Sequence, residues 1–157
     1  MEQNCLLVIR IRGQINVSKR EEDTLRMLRI DRNNYATIID NRPSYLGMLN
    51  EAKDFITWGE PSVETISLLL KKRGRIQGNK KIEEQEISAL GFNDFEDLAK
   101  SIYIGEKEIN KMKPLKPFFR LHPPKGGFKN SIKRPFRSRG ELGYRGEKIN
   151  DLAQKMC

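Results

Sequence analysis

The residue types that support enzyme catalysis are sparse and scattered in this sequence. It contains one histidine, His122, and two cysteines, Cys5 and Cys157, which lie near opposite ends of the chain. A zinc or non-haem iron site needs several His, Cys or carboxylate ligands, and a Ser, Thr or Cys nucleophile needs an imidazole base close by. His122 lies in a strongly cationic stretch, where a backbone or phosphate contact is the better interpretation. We therefore predict no enzymatic activity, no cofactor, no metal site and no disulfide.

Two further motifs have ordinary structural explanations. Glu83, Glu84 and Glu86 have the spacing of a solvated helix face rather than of a paired acid and base. Gly126-Gly127 belongs to neither of the common glycine-rich phosphate-binding patterns. We interpret the two glycines as a turn that lets the backbone approach another group closely.

Basic residues are concentrated in one segment of the chain. The 157 residues include 30 Lys+Arg and 21 Asp+Glu, which leaves a formal charge of +9. Twelve of the basic residues but only two acids lie between Lys111 and Lys148, so this segment carries +10 and the remainder −1. The same segment holds five of the seven prolines. A merely solvated surface would distribute its charge, so this asymmetry predicts a polyanionic partner.

Aromatic side chains are interleaved with these cations. Phe118, Phe119, Phe128 and Phe136 alternate with Lys and Arg between residues 113 and 139. Cations bind phosphates, aromatic rings stack on unstacked bases, and prolines keep the chain extended. Such a segment can lie along backbones and fill junctions, which suits a folded RNA better than duplex DNA. Phe118 and Phe119 are equally consistent with anchoring the segment to the globular part.

The predicted RNA-binding residues combine the cations of this segment with two strand arginines, the histidine and two phenylalanines. They are Arg10, Arg12, Lys113, Lys116, Arg120, His122, Lys125, Phe128, Lys129, Lys133, Arg134, Phe136, Arg137, Arg139 and Arg145. No apolar run approaches the roughly 18 residues of a membrane span. We expect a cytoplasmic protein with neither a membrane nor a small molecule as its partner.

Hydrophobic periodicity predicts the elements that must position these residues. Residues 6–11, 35–39 and 55–58 read as strands, and residues 19–30 and a segment from Pro43 read as helices. Ser18 and Glu21 have the spacing of a capping box. The predicted order is β-α-β-α-β.

Helices predominate in the rest of the chain, apart from the basic segment. Helical spacing covers residues 62–73, 83–90, 93–104 and 147–156, with a short polar piece at 75–81. We therefore divide the chain into a core (1–61), a helical extension (62–110), a basic Pro/Gly-rich RNA-binding arm (111–146) and a C-terminal helix (147–157). Residues 111–146 are called the basic arm below.

Several motifs resemble one known family. The segments 6–13, 24–28 and 41–49 are similar to the core of the large-subunit ribosomal proteins called L-thirty in bacteria and L-seven in eukaryotes. Residues 118–128 resemble that family's F-L-x-P-P-R-G-G region, with Lys125 in place of arginine, and residues 140–146 resemble the approach to its terminal helix. The resemblance spans essentially the whole chain and implies the long archaeal form.

The resemblance implies an α+β fold: a ferredoxin-like β-α-β-α-β core on an antiparallel three-stranded sheet, with a helical extension and an irregular basic arm. It implies a structural role in the large ribosomal subunit, with large-subunit rRNA as the main partner. The small 5S-type rRNA and neighbouring ribosomal proteins are further candidate partners. The residues alone leave open another cytosolic protein that binds structured RNA or DNA, of an RNA-chaperone or chromatin type.

Overall fold

The computed structural model describes residues 4–112 and 115–157. Within them the chain forms eight strands and six α-helices, joined by loops and short 3₁₀ turns. In chain order they are β1 (Cys5–Arg10), α1 (Lys19–Met27), β2 (Tyr35–Asp40), α2 (Pro43–Glu51), β3 (Ile56–Gly59), α3 (Val63–Arg73), β4 (Arg75–Ile76), β5 (Lys80–Lys81), α4 (Glu84–Ala89), α5 (Phe95–Ile104), β6 (Phe119–Arg120), β7 (Ser131–Pro135), β8 (Gly140–Tyr144) and α6 (Ile149–Met156).

The predicted β-α-β-α-β core is confirmed in order and in topology. Strand β1 lies between β2 and β3 and pairs antiparallel with both, with Val8 opposite Thr37 on one side and Trp58 on the other. The capping box at the start of α1 is also formed. Its two bonds run from the Glu21 amide to the Ser18 hydroxyl (3.2 Å) and from the Ser18 amide to the Glu21 carboxylate (3.3 Å).

The sheet is larger than the three-stranded sheet that was predicted. It has six strands in the order β6-β2-β1-β3-β8-β7. Strand β6 pairs antiparallel with β2, while β8 runs parallel to β3 and β7 parallel to β8. The prediction of a wholly irregular arm is therefore wrong. Strands β2 and β3 are the outer strands of the core, and their outer backbone amides and carbonyls need hydrogen-bond partners, which β6 and β8 of the arm provide. The arm strands are too short to show an alternation of apolar and polar residues in the sequence.

Apolar side chains fill both faces of this sheet. Leu6 and Val8 belong to a first hydrophobic cluster, which lies under α1 and α2. Leu7 and Ile9 belong to a second hydrophobic cluster, which lies under α3, α5 and α6. Burial on both faces explains why β1 begins as a continuous apolar run. The second cluster also contains Phe119, so segments 1–61, 62–110, 111–146 and 147–157 all contribute to it.

Two details complete the helical extension. Gly74 caps the C-terminal end of α3, where its amide donates to the Leu70 carbonyl oxygen at 3.2 Å and its backbone is extended (φ −63°, ψ 137°). A Cβ atom at this residue would lie 2.5 Å from the Leu70 carbonyl oxygen. Only glycine, which has no Cβ, fits this close to the last turn of the helix. The polar piece after it forms the antiparallel hairpin β4–β5.

Candidate nucleic-acid interface

Six predicted cations of the basic arm form an exposed set, which we call the arm cations. They are Lys125, Lys129, Lys133, Arg134, Arg137 and Arg139. Within residues 4–112 and 115–157, none of the six forms an ion pair. Their charge is therefore not neutralised by the described part of the protein, and it is free to attract a polyanion.

Strand β8 fixes the part of the arm that carries Lys133 and Arg134. All five residues of β7 are exposed, whereas Gly140, Glu141 and Leu142 of β8 are buried. A Cβ atom on Gly140 would lie 1.8 Å from the Arg134 carbonyl oxygen, so the two strands can approach this closely only with glycine at that position. The Asn130 amide also donates to the Glu141 carboxylate at 3.1 Å.

Arg145, predicted to contact RNA, is instead buried beneath this segment. Its side chain is 5% exposed, and its guanidinium donates to the Glu141 carboxylate at 2.8 Å and to the Thr57 hydroxyl at 2.7 Å. The guanidinium carbon also lies 5.0 Å from the centroid of the Phe136 ring. Arg145 therefore holds β8 against β3, and its position corrects the expectation that it reaches a phosphate.

Arg10 is the second predicted cation that the structure places inside the protein. It is 2% exposed and donates to the carbonyl oxygens of Arg12 (2.8 Å), Ile30 (3.0 Å) and Gly13 (3.2 Å). Burial lowers the pKa of Arg10, and the nearby charges of Asp31 and Glu22 oppose that shift. Arg10 joins two loops at the end of the sheet, and all three of its donor groups are used there.

The predicted phenylalanines are only partly accessible. Phe128 packs against the second hydrophobic cluster, and Phe136 lies over Arg145. Together with Lys129 and Lys148 they line a cleft of about 170 Å³. Each ring therefore has an anchoring contact, and the open side of the cleft is the side on which a base could stack.

The remaining predicted residues lie apart from this cleft. Arg12 is half-buried, with its guanidinium 5.2 Å from the Phe55 ring centroid. Lys116 is half-buried and Arg120 exposed, both near β6 at the far edge of the sheet. His122 has an exposed side chain, and its backbone amide donates to the Met156 carbonyl oxygen at 2.9 Å. Lys113 lies outside the described residues.

A second group of cations and aromatic rings includes Arg120 and Phe118, together with residues that the sequence did not single out. It lines a cleft of about 400 Å³ between the end of α1 and the β2–β6 edge. We call this the arginine cleft, and its lining residues are Arg26, Arg29, Asp31, Arg32, Tyr35, Phe118 and Arg120. No sequence motif links residues 26–35 with residues 118–120. They meet because Tyr35 pairs with Arg120 across the two strands.

Residues 4–112 and 115–157 contain neither a cluster of metal ligands nor a membrane-spanning helix. No group of three or more His, Cys, Asp or Glu side chains is arranged to hold a metal ion in that part of the chain. No helix there is both long enough and apolar enough to cross a membrane.

The fold and its surfaces together define a class of protein. It is a basic α+β protein in which a ferredoxin-like core is extended at both sheet edges by strands of a cationic arm. Residues 6–56 match the family described as Ribosomal protein L30p/L7e. Relatives that are at least 45% identical over more than nine-tenths of the chain show that it belongs to this family of ribosomal proteins.

Similar proteins extend the match beyond the core. The chain is 45% identical over 148 residues to a protein of Methanopyrus kandleri, covering 93% of this chain and 99% of that one. It is 49% identical over 146 residues to a protein of Nanoarchaeum equitans (92% and 94%) and 45% identical over 159 residues to one of Ignicoccus hospitalis (99% and 99%). All three are named large ribosomal subunit protein uL30. The resemblance to the long archaeal form is thereby confirmed.

Proposed function

We propose that this chain is a structural constituent of the large ribosomal subunit that binds large-subunit rRNA. The observation that carries the proposal is the similarity of nearly the whole chain, arm included, to archaeal proteins named large ribosomal subunit protein uL30. The concentration of cations in the basic arm is an independent physical reason to expect an RNA partner.

The arm cations are the part of the interface that we expect to contact phosphates. They are exposed and have no ion-pair partner within the described residues, so binding RNA costs them no internal salt bridge. Phosphate contacts position a protein on RNA without reading its sequence. Phosphate contacts are sufficient for a protein that stabilises one folded RNA and does not have to distinguish between RNA sequences.

Further partners follow from the same assignment. We propose the small 5S-type rRNA and neighbouring ribosomal proteins as additional contacts, and the cytoplasmic ribosome as the location. The arm cations of β7 and the arginine cleft lie at opposite edges of the sheet, an arrangement that supports contact with more than one element of the particle.

We propose no catalytic activity for the chain. His122 has an exposed side chain, and Cys157 is half-buried against the second cluster, where burial raises the pKa of its thiol and disfavours the thiolate. The Cys157 thiol donates to the Leu68 carbonyl oxygen at 3.9 Å, whereas a nucleophilic thiol is activated by a hydrogen bond to a base.

Sedimentation of a tagged chain in a lysate tests the proposal. We expect the protein to migrate with large ribosomal subunits and to leave them at high salt, since phosphate contacts weaken as salt rises. Migration with bulk DNA, or with RNAs of every size, would instead support the chromatin or RNA-chaperone alternatives.

A further inference from the structure

The arginine cleft combines an exposed aromatic pair with a surplus of positive charge. The rings of Tyr35 and Phe118 are stacked, with centroids 5.3 Å apart and planes 9° from parallel. The Arg120 guanidinium lies 5.9 Å from the Tyr35 centroid and 6.0 Å from that of Phe118. Both side chains are half-exposed, so part of each residue faces solvent.

Three arginines of the cleft are uncompensated. Arg29, Arg32 and Arg120 are exposed and make no ion pair within the described ranges 4–112 and 115–157, whereas Arg26 pairs with Glu22 at 3.3 Å. Asp31 is the single carboxylate that lines the cleft. The excess of cations makes the cleft suitable for an anion.

Arg29 occupies a position that normally belongs to glycine. The amide of Arg29 donates to the Arg26 carbonyl, and that of Ile30 to the Leu25 carbonyl, each at 3.0 Å. This is a Schellman motif, in which the residue after the helix cap is left-handed, and Arg29 has φ 67°. A side chain is disfavoured there, so an arginine at this position indicates a use for its guanidinium.

We propose that the arginine cleft binds an unstacked nucleotide of single-stranded RNA. The base stacks on the Tyr35–Phe118 pair, and Arg29 and Arg32 contact the flanking phosphates. Proteins recognise single-stranded RNA by this combination of aromatic stacking and cationic contacts, and the cleft volume of about 400 Å³ is within the range of small-ligand sites. An acidic peptide would use the arginines but would gain little from a parallel pair of rings.

The cleft is separate from the arm cations carried by β7. Strands β6 and β7 are the two ends of the six-stranded sheet. Five interstrand spacings of about 4.8 Å put these edges roughly 24 Å apart. The cleft therefore engages a different RNA element, and its loss leaves arm-mediated binding in place. This inference rests on the proposed RNA-binding function.

Substitutions of the aromatic pair test stacking. The probe is a short oligouridylate with one central 2-aminopurine, whose fluorescence falls when the base stacks, and the protein is the full chain. We expect Tyr35→Leu and Phe118→Leu to lose about 5- to 100-fold in affinity together with the quenching. Tyr35→Phe, which keeps the ring, should bind within about twofold of the parent, so it separates stacking from simple loss of structure.

Substitutions of the arginines test the phosphate contacts. The double variant Arg29→Gln/Arg32→Gln should reduce the slope of log affinity against log salt concentration by about 1.4, because each phosphate contact on a single strand contributes about 0.7 to that slope. The exposed pair Lys100→Gln/Lys107→Gln is the matched control and should keep the parental slope. Arg29→Gly should raise the melting temperature and weaken binding, because glycine suits the left-handed backbone but lacks the guanidinium. Parental affinity in that variant would overturn the role of Arg29.

A fragment of large-subunit rRNA separates this proposal from the proposed function. If the parent chain does not bind the fragment, the RNA-binding function itself fails. If the parent binds both RNAs and the leucine variants bind the oligouridylate equally well, only the cleft proposal is overturned. Binding of oligoglutamate that needs Arg29 and Arg32 but tolerates both leucine substitutions would identify an acidic-peptide site and would also overturn it.

Discussion

Arg145 and Glu141 form an ion pair whose side chains are 5% and 7% exposed. Removing one partner of such a pair leaves a buried charge uncompensated, which makes the pair structurally important whether or not it adds net stability. Arg134 and Arg137 belong to the same stretch of sequence and are exposed. An arginine with an exposed side chain can therefore bind a phosphate, whereas an arginine paired with a buried carboxylate cannot.

Tyr144 provides a pH-dependent signature at this scale. Its hydroxyl donates to the Glu60 carboxylate at 2.6 Å, and this bond, with partial burial and the charges of Glu60 and Glu147, raises the pKa of Tyr144 to about 12 from 10.0. The protonated phenol is favoured in the folded state. The contribution to stability is therefore complete below pH 10 and is lost as the pH rises from about 10 to about 12.

We expect a spectrophotometric titration of the folded chain to show a late tyrosine ionisation near pH 12. Tyr144→Phe should remove that late step and flatten the loss of stability above pH 10, which chemical denaturation at several pH values would measure. Tyr103→Phe is the control and should leave the late step intact. A late step that persists in Tyr144→Phe would contradict the assignment.

Strand β6, like β8, makes part of the basic arm a part of the fold. Its Phe119 is 1% exposed and lies in the second hydrophobic cluster, while Leu115 and Leu121 on either side are also buried. Strand β7, in contrast, contributes no buried residue. The arm is therefore integrated into the fold through β6 and β8, and it is displayed to solvent on β7.

Phe119→Ala tests this integration. We expect a loss of about 3–5 kcal/mol in the free energy of unfolding, the usual range for truncating a buried phenylalanine. The measurement is equilibrium denaturation. Ile132→Ala, on the exposed strand β7 and 38% accessible, is the matched apolar control and should change stability by no more than about 0.5 kcal/mol. Equal, small effects of both substitutions would mean that β6 does not belong to the core.

At the scale of the whole molecule, the net charge of +9 comes from the basic arm, since residues 111–146 carry +10 and the remainder −1. Lys125, Lys129, Arg134 and Arg137 are exposed cations of the arm. Replacing all four with glutamine should reduce the slope of log affinity for an rRNA fragment against log salt concentration by about three, because each phosphate contact contributes about 0.7–0.9 to that slope. It should weaken binding to different RNA sequences about equally.

The control for this variant is an equal change of charge elsewhere. Lys53, Lys72, Lys100 and Lys107 are exposed outside the basic arm, and their replacement by glutamine should keep the parental slope. Binding at a series of salt concentrations measures both slopes. A parental slope in the arm variant, or an equal reduction in the control, would show that the arm cations remain solvated in the complex.

Local patterns determined much of this molecule. The order β-α-β-α-β, the Ser18 cap and the helix of residues 63–73 follow from periodicity and from contacts a few residues apart, so the sequence predicts them directly. The clustering of positive charge in the basic arm is likewise a property of the chain itself, and it predicts a polyanionic partner independently of the fold.

Tertiary structure alone decided which cations are available. Arg10 is buried because Ile30 and Gly13 present carbonyls to it, and Arg145 because β8 brings it against Thr57. The arginine cleft exists because β6 pairs with β2, which joins Tyr35 to residues more than eighty positions away. Solvent exposure and long-range strand pairing depend on contacts between distant segments, and neither periodicity nor composition encodes those contacts locally.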